Sequence, residues 1–99
     1  MARLKFEESA LADLERLTDF LVEHDPRVAG QTASLIFEAT AILEKHPMIG
    51  RAVENGFREL VISRGRSGYV ALYDFDERKD LIVVLSIRHQ REIGFPEQQ

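Results

Sequence analysis

The side chains best suited to chemistry gather near the end of the chain. An apolar run, Leu81-Ile82-Val83-Val84-Leu85-Ser86-Ile87, stops abruptly in Arg88-His89-Gln90-Arg91-Glu92. Two arginines and a histidine at the end of a buried strand put cations on a rigid element, where they can hold an anion or move a proton. Strand alternation sends Arg88 to the face of Val84 and Ser86, and His89 to the opposite face. The three therefore converge only if the chain bends after Arg88. Without such a bend they form a solvated strand end with surface ion pairs, for example to Glu92 or Glu59. Upstream, Arg64 and Arg66 flank Gly65 in a turn, where exposed arginines are ordinary. Tyr69 and Tyr73 share a face with Ala71 and Phe75 and read as core aromatics before they read as base-stacking platforms.

The rest of the composition narrows the function classes. Ninety-nine residues, 44% of them hydrophobic, suit one compact domain spanning 1–99 and leave no room for a second. No run approaches 18 uncharged apolar residues, so no membrane span is expected. The opening Met1-Ala2-Arg3-Leu4-Lys5-Phe6 lacks the apolar block of a signal peptide. The chain has no cysteine, hence no disulfide framework and no thiolate chemistry, which suits a cytoplasmic location. His24, His46 and His89 are too scattered for a metal site, and neither a metal nor a cofactor is expected. Net charge is −4, all of it in residues 1–50, while residues 51–91 carry 8 basic and 6 acidic side chains. A globally acidic chain is a poor general nucleic-acid binder, but a local cationic patch in the second half is compatible with it.

The elements that position these residues follow from periodicity. Arg3 to Glu7 alternates as a short strand with Leu4 and Phe6 inward. Ser9 is read as an N-cap, followed by Leu11, Leu14, Leu17 and Leu21 on the inner face of a helix, with Asp13, Glu15, Arg16 and Asp19 on the outer one. That helix is expected to end near Glu23-His24. Asp25-Pro26 starts a second helix, with Asp25 as cap and proline in the first turn. Its inward stripe is Ala29, Ala33, Ile36, Thr40 and Leu43, it stops at His46-Pro47, and Gly30 is read as a close helix contact. Met48 to Gly56 reads as a loop. Phe57–Ser63, Tyr69–Phe75 and Leu81–Arg88 read as three strands of an antiparallel meander, joined by glycine-containing and charged turns. The expected fold is α+β, in the order β-α-α-β-β-β, with an antiparallel sheet packed on an N-terminal helical hairpin.

In that order, four stretches carry a resemblance: His46-Pro47-x-x-Gly50-Arg51, Phe57-Arg58-Glu59-Leu60, Gly68-Tyr69-x-x-x-Tyr73 and Leu85-x-Ile87-x-His89-x-Arg91-Glu92. Together they make the chain similar to the RelE/ParE toxin superfamily of bacterial type II toxin–antitoxin systems, the plasmid-stabilisation type. The resemblance implies a cytoplasmic, growth-inhibiting toxin held inactive by a cognate antitoxin whose extended or helical segment wraps its sheet and helices. An apolar groove beside the helical hairpin would take either that antitoxin or a second copy of the chain, as a homodimer. The superfamily has two mechanisms. RelE-like members cleave messenger RNA on the ribosome, which requires cations at the scissile phosphate and a proton donor or acceptor. In those relatives an arginine follows the tyrosine of the Gly-Tyr motif, where this chain has Val70. Their C-terminal tyrosine has no counterpart after Arg91, since Phe95 cannot exchange a proton. ParE-like members inhibit DNA gyrase and have no such catalytic set.

The missing groups and the acidic charge favour the ParE-like, non-enzymatic reading. A ribosome-dependent endoribonuclease is the alternative, and a non-toxic binding domain of the same fold is a second. The candidate catalytic residues are Arg58, His89 and Arg91, which lie in those motifs, and Arg88, which belongs to the charged strand end. Arg51, Arg64, Arg66 and Tyr69 are the candidate target-binding residues. DNA gyrase or the ribosome is the expected target, and no membrane is involved.

Overall fold

The computed structural model of the chain describes residues 1–64 and 67–91. Strand β1 (Arg3–Phe6) leads into helices α1 (Glu8–His24) and α2 (Pro26–Ala41), then a short strand β2 (Arg51–Ala52), and finally β3 (Arg58–Arg64), β4 (Ser67–Asp76) and β5 (Leu81–His89). The strands form one sheet in the order β1-β5-β4-β3-β2. The α+β class and the element order match expectation. Two features differ. β2 lies in the stretch read as loop, pairing Arg51 with Glu59 and Ala52 with Arg58, and two residues are too few to show a period. The sheet is also mixed, because β1 runs parallel to β5 from Arg3↔Leu81 to Phe6↔Val84. No tight turn ties β1 to β5, so its direction is set by docking Leu4 and Phe6 against the core and not by a hairpin.

The helices cover one face of the sheet. Asp25 caps α2 as expected, its Oδ1 accepting from the Arg27 N–H at 3.1 Å, with Pro26 in the first turn. α1 ends at His24, also as expected, but begins earlier than Ser9. Glu7, with extended backbone, is the residue before its first turn, and Ser9 lies inside the helix with its hydroxyl on β5. The buried stripe of α1 is Ala10, Asp13, Leu14 and Leu17. Leu11, placed inward by spacing, is 47% exposed, and Asp13, placed outward, is only 6% exposed. The stripe is rotated because Asp13 has a partner on the sheet. On α2 the buried residues are Ala29, Thr32, Ile36 and Thr40, continued by Leu43 in a 3₁₀ turn. Gly30 is exposed, and a Cβ there would meet nothing within 4 Å, so it marks no helix contact. Leu14, Leu17, Ile36, Leu43, Tyr69, Tyr73, Ile82, Val84 and Ile87 belong to one buried cluster between the two layers.

Strand β5 breaks its own alternation. Its pairing with β4 shifts between Leu72 and Tyr73: Leu72 lies opposite Ser86 but Tyr73 opposite Val84, leaving Leu85 as an extra residue. This β-bulge makes Ser86 and Ile87 consecutive buried residues. Beyond it, Ala71 pairs with Ile87 and Tyr69 with His89. Tyr69, Ala71 and Tyr73 share one face of β4, so Val84, Ile87 and His89 share it on β5. The expected assignment is reversed: His89 lies on the face of Val84, and Arg88, opposite Val70, lies on the other.

Candidate functional site

The candidate residues separate into two places. The first is a braced loop between α2 and β2. The Gly50 N–H donates to the Tyr73 hydroxyl oxygen at 2.9 Å, and that hydroxyl donates to the Pro47 carbonyl at 2.8 Å. Arg58 Nη1 donates to the carbonyls of Gly50 at 2.8 Å and Met48 at 3.2 Å. Arg51 pairs with Glu59 across β2 and β3. A Cβ on Gly50 would stand 2.6 Å from Tyr73 Cε1 and Oη and 2.8 Å from the Glu59 carbonyl, so the motif position tolerates only glycine without a shift. Burial raises the Tyr73 phenol above its ordinary range. The Gly50 N–H bond and the Arg58 charge pull it partly back. Arg58 and Arg51 thus spend their donors on loop carbonyls and on a carboxylate. What the loop displays is apolar, with Met48 53% and Ile49 57% exposed.

The second place is a half-open cleft of about 720 Å³ between the C-terminal half of α1 and the ends of β4 and β5, lined by Arg16, Leu17, Phe20, Leu21, Tyr69, His89 and Arg91. The bulge delivers His89 here, its ring edge-on to Tyr69 with centroids 5.3 Å apart and planes at 87°. The Arg91 backbone N–H donates to His89 Nδ1 at 3.1 Å. That bond uses Nδ1 as an acceptor and ties the ring to the backbone that follows it. The floor is aliphatic and aromatic, and Phe20 is 63% exposed. The cleft thus sets Arg16, His89 and Arg91 among aliphatic and aromatic side chains, a mixed lining that suits a largely apolar protein segment.

The structure therefore brings together three of the sequence candidates, Tyr69, His89 and Arg91. It keeps Arg88 on the opposite face, with Nη1 donating to the His89 and Gln90 carbonyls. Arg51 and Arg58 lie by the braced loop. Arg64 ends β3 opposite Ser67, while its side chain, Arg66, Glu92 and Phe95 lie outside the described residues. Sequence reasoning missed Arg16, which it left on an outer helix face, and Asp13. The available signal was Ser9 and Asp13 at i and i+4, two short polar groups on one helical face that also carries leucines. Among the described residues no group of three or more His, Asp or Glu could hold a metal ion, and no helix is long and apolar enough to cross a membrane.

Known proteins share this fold and much of this sequence. The family model described as the ParE toxin of the type II toxin–antitoxin system parDE matches residues 4–94. Toxin RelE3 of Caulobacter vibrioides is 34% identical over 83 residues, covering 84% of this chain and 88% of that protein. A solved structure of the chromosomal ParDE system from P. aeruginosa superposes with a TM-score of 0.76 at 27% identity, over 90% of this chain and 96% of that one. The intact E. coli RelBE complex shares the fold more distantly, with a TM-score of 0.59 at 19% identity over 93% and 100% of the two chains. With the family match running from β1 past the cleft, the chain belongs to the ParE toxin family, within the RelE/ParE superfamily of type II toxin–antitoxin toxins.

Proposed function

We propose that this chain is a cytoplasmic, growth-inhibiting toxin of the ParE-like branch. It acts by binding DNA gyrase and not by cutting RNA, and a cognate antitoxin neutralises it. One observation carries this reading: where described cations gather with a histidine, they stand over an apolar floor of Leu17, Phe20, Leu21 and Tyr69. Such a floor suits a protein segment, whereas a phosphate backbone is bound by a continuous positive field. Glu15, Asp19 and Glu23, exposed on the same helix, oppose RNA further. Arg58, Arg51 and Arg88 stand apart from the cleft, so they do not complete a phosphate-stabilising set with His89. The likeness to the P. aeruginosa ParDE structure, at 27% identity and a TM-score of 0.76, supports the same branch.

Two observations favour the ribonuclease alternative: the 34% identity to Toxin RelE3, and a histidine, His89, lining the same cleft as Arg16 and Arg91. The two readings separate on induction of the chain alone in bacteria. Gyrase binding predicts relaxed plasmids, induced DNA damage, and inhibited supercoiling by purified gyrase. RNA scission predicts codon-biased messenger cuts with supercoiling intact. Normal growth at high expression of the intact chain would sink both, leaving a non-toxic binding domain.

A further inference from the structure

The bulge in β5 is held from α1 by three hydrogen bonds. Ser9 Oγ donates to the Leu85 carbonyl at 2.6 Å, Ser86 Oγ donates to Asp13 Oδ2 at 2.7 Å, and the Ile87 backbone N–H donates to that same Oδ2 at 2.9 Å. A bulge turns backbone groups out of the strand ladder, and a buried N–H or carbonyl left unpaired is costly. Here Ser9 and Asp13, one helical turn apart, take up the two groups on either side of Ser86. A regular β5 would instead carry Ser86 and Arg88 on the face of Val84 and turn His89 away. We propose that Asp13, seconded by Ser9, is a positioning residue: by latching the bulge at Leu85 it decides that His89, and not Arg88, lines the cleft. The choice matters chemically. A flat imidazole packed on Tyr69 leaves the Leu17–Phe20–Leu21 floor accessible, while a longer guanidinium there would place a permanent charge against it. The functional half of this inference rests on the cleft being the binding surface, but the positional half does not.

The test compares Asp13→Ala, Asp13→Asn, and Asp13→Ala combined with deletion of Leu85, all in the full chain. The readouts are nuclear Overhauser contacts between the Tyr69 and His89 rings, hydrogen exchange at the Ile87 amide, and inhibition of purified gyrase. Asparagine keeps an oxygen that can accept both bonds, so Asp13→Asn should retain the ring contact. Asp13→Ala should lose the contact, expose the Ile87 amide to exchange, and weaken inhibition by at least about tenfold, the equivalent of one lost interaction of about 1.4 kcal/mol. Deleting Leu85 removes the extra residue and restores alternation with Val84, Ile87 and His89 on one face. The double variant should therefore regain the ring contact that Asp13→Ala lost, which no general loss of stability would produce. A ring contact that persists in folded Asp13→Ala overturns the proposal. So does a double variant that fails to fold or to recover the contact. If the contacts follow the pattern while wild-type chain leaves gyrase untouched, Asp13 retains its positioning role and the proposed target is the part that fails.

Discussion

Replacing Tyr73 with phenylalanine isolates the brace that shapes the loop between α2 and β2. The ring remains in the core, where Tyr73 is fully buried, and only the hydroxyl is lost. Its removal strands the buried Gly50 N–H, whose acceptor lay at 2.9 Å, and deprives the part-buried Pro47 carbonyl of its donor at 2.8 Å. A buried donor left unsatisfied costs about 1–3 kcal/mol, and a part-buried carbonyl, which water can still reach, costs less. The expected loss is about 2–3 kcal/mol. For a domain of this size that lowers the melting temperature by roughly 10–20 °C. Arg58 still grips the Met48 and Gly50 carbonyls, so the loop should loosen at Gly50 without detaching. Urea unfolding with an unchanged m-value measures the free energy, and hydrogen exchange at the Gly50 amide reports the local opening. A loss below about 0.5 kcal/mol, within the scatter of ordinary surface substitutions, would refute the idea that this hydroxyl braces the loop.

Two further expectations rest on the same geometry. Because burial raises the Tyr73 phenol above its unfolded value, the stability from keeping it neutral is fully present below about pH 10 and is lost as pH rises through the raised folded value. Urea midpoints taken across the alkaline range should fall more steeply for the wild type than for Tyr73→Phe, and parallel curves would contradict this. Gly30→Ala should stabilise the chain by about 0.5–1 kcal/mol, because the residue sits inside α2 with open space where the Cβ would go. A lower melting temperature would mean that Gly30 is needed for a contact absent from the isolated chain.

Much of the fold could be read from short-range rules because those rules govern its elements. Asp25-Pro26 starts α2 because a carboxylate caps free N–H groups and proline surrenders none, and neither depends on the rest of the molecule. Arg3 to Phe6 alternates as expected because one face of the strand is packed and the other is wet. The misplaced residues share a different cause. Leu11 and Asp13 exchange burial because a carboxylate on α1 meets backbone and hydroxyl donors on β5, a contact 73 residues away along the chain. Arg58 was a candidate for phosphate binding and is used as a loop brace, because only the folded chain shows which carbonyls lie within its reach.

By itself, the sequence determined the α+β class, the helical hairpin, the three long strands and the family, each carried by local patterning and ordered motifs. Tertiary structure alone decided which way the cations face. Strand alternation has a period of two, and a single inserted residue inverts it for every position that follows. Leu85 is that residue, and nothing in its own identity marks it. The bulge exists because Ser9 and Asp13 on α1 satisfy the backbone groups it displaces, so the face on which His89 emerges is fixed by a helix at the other end of the chain.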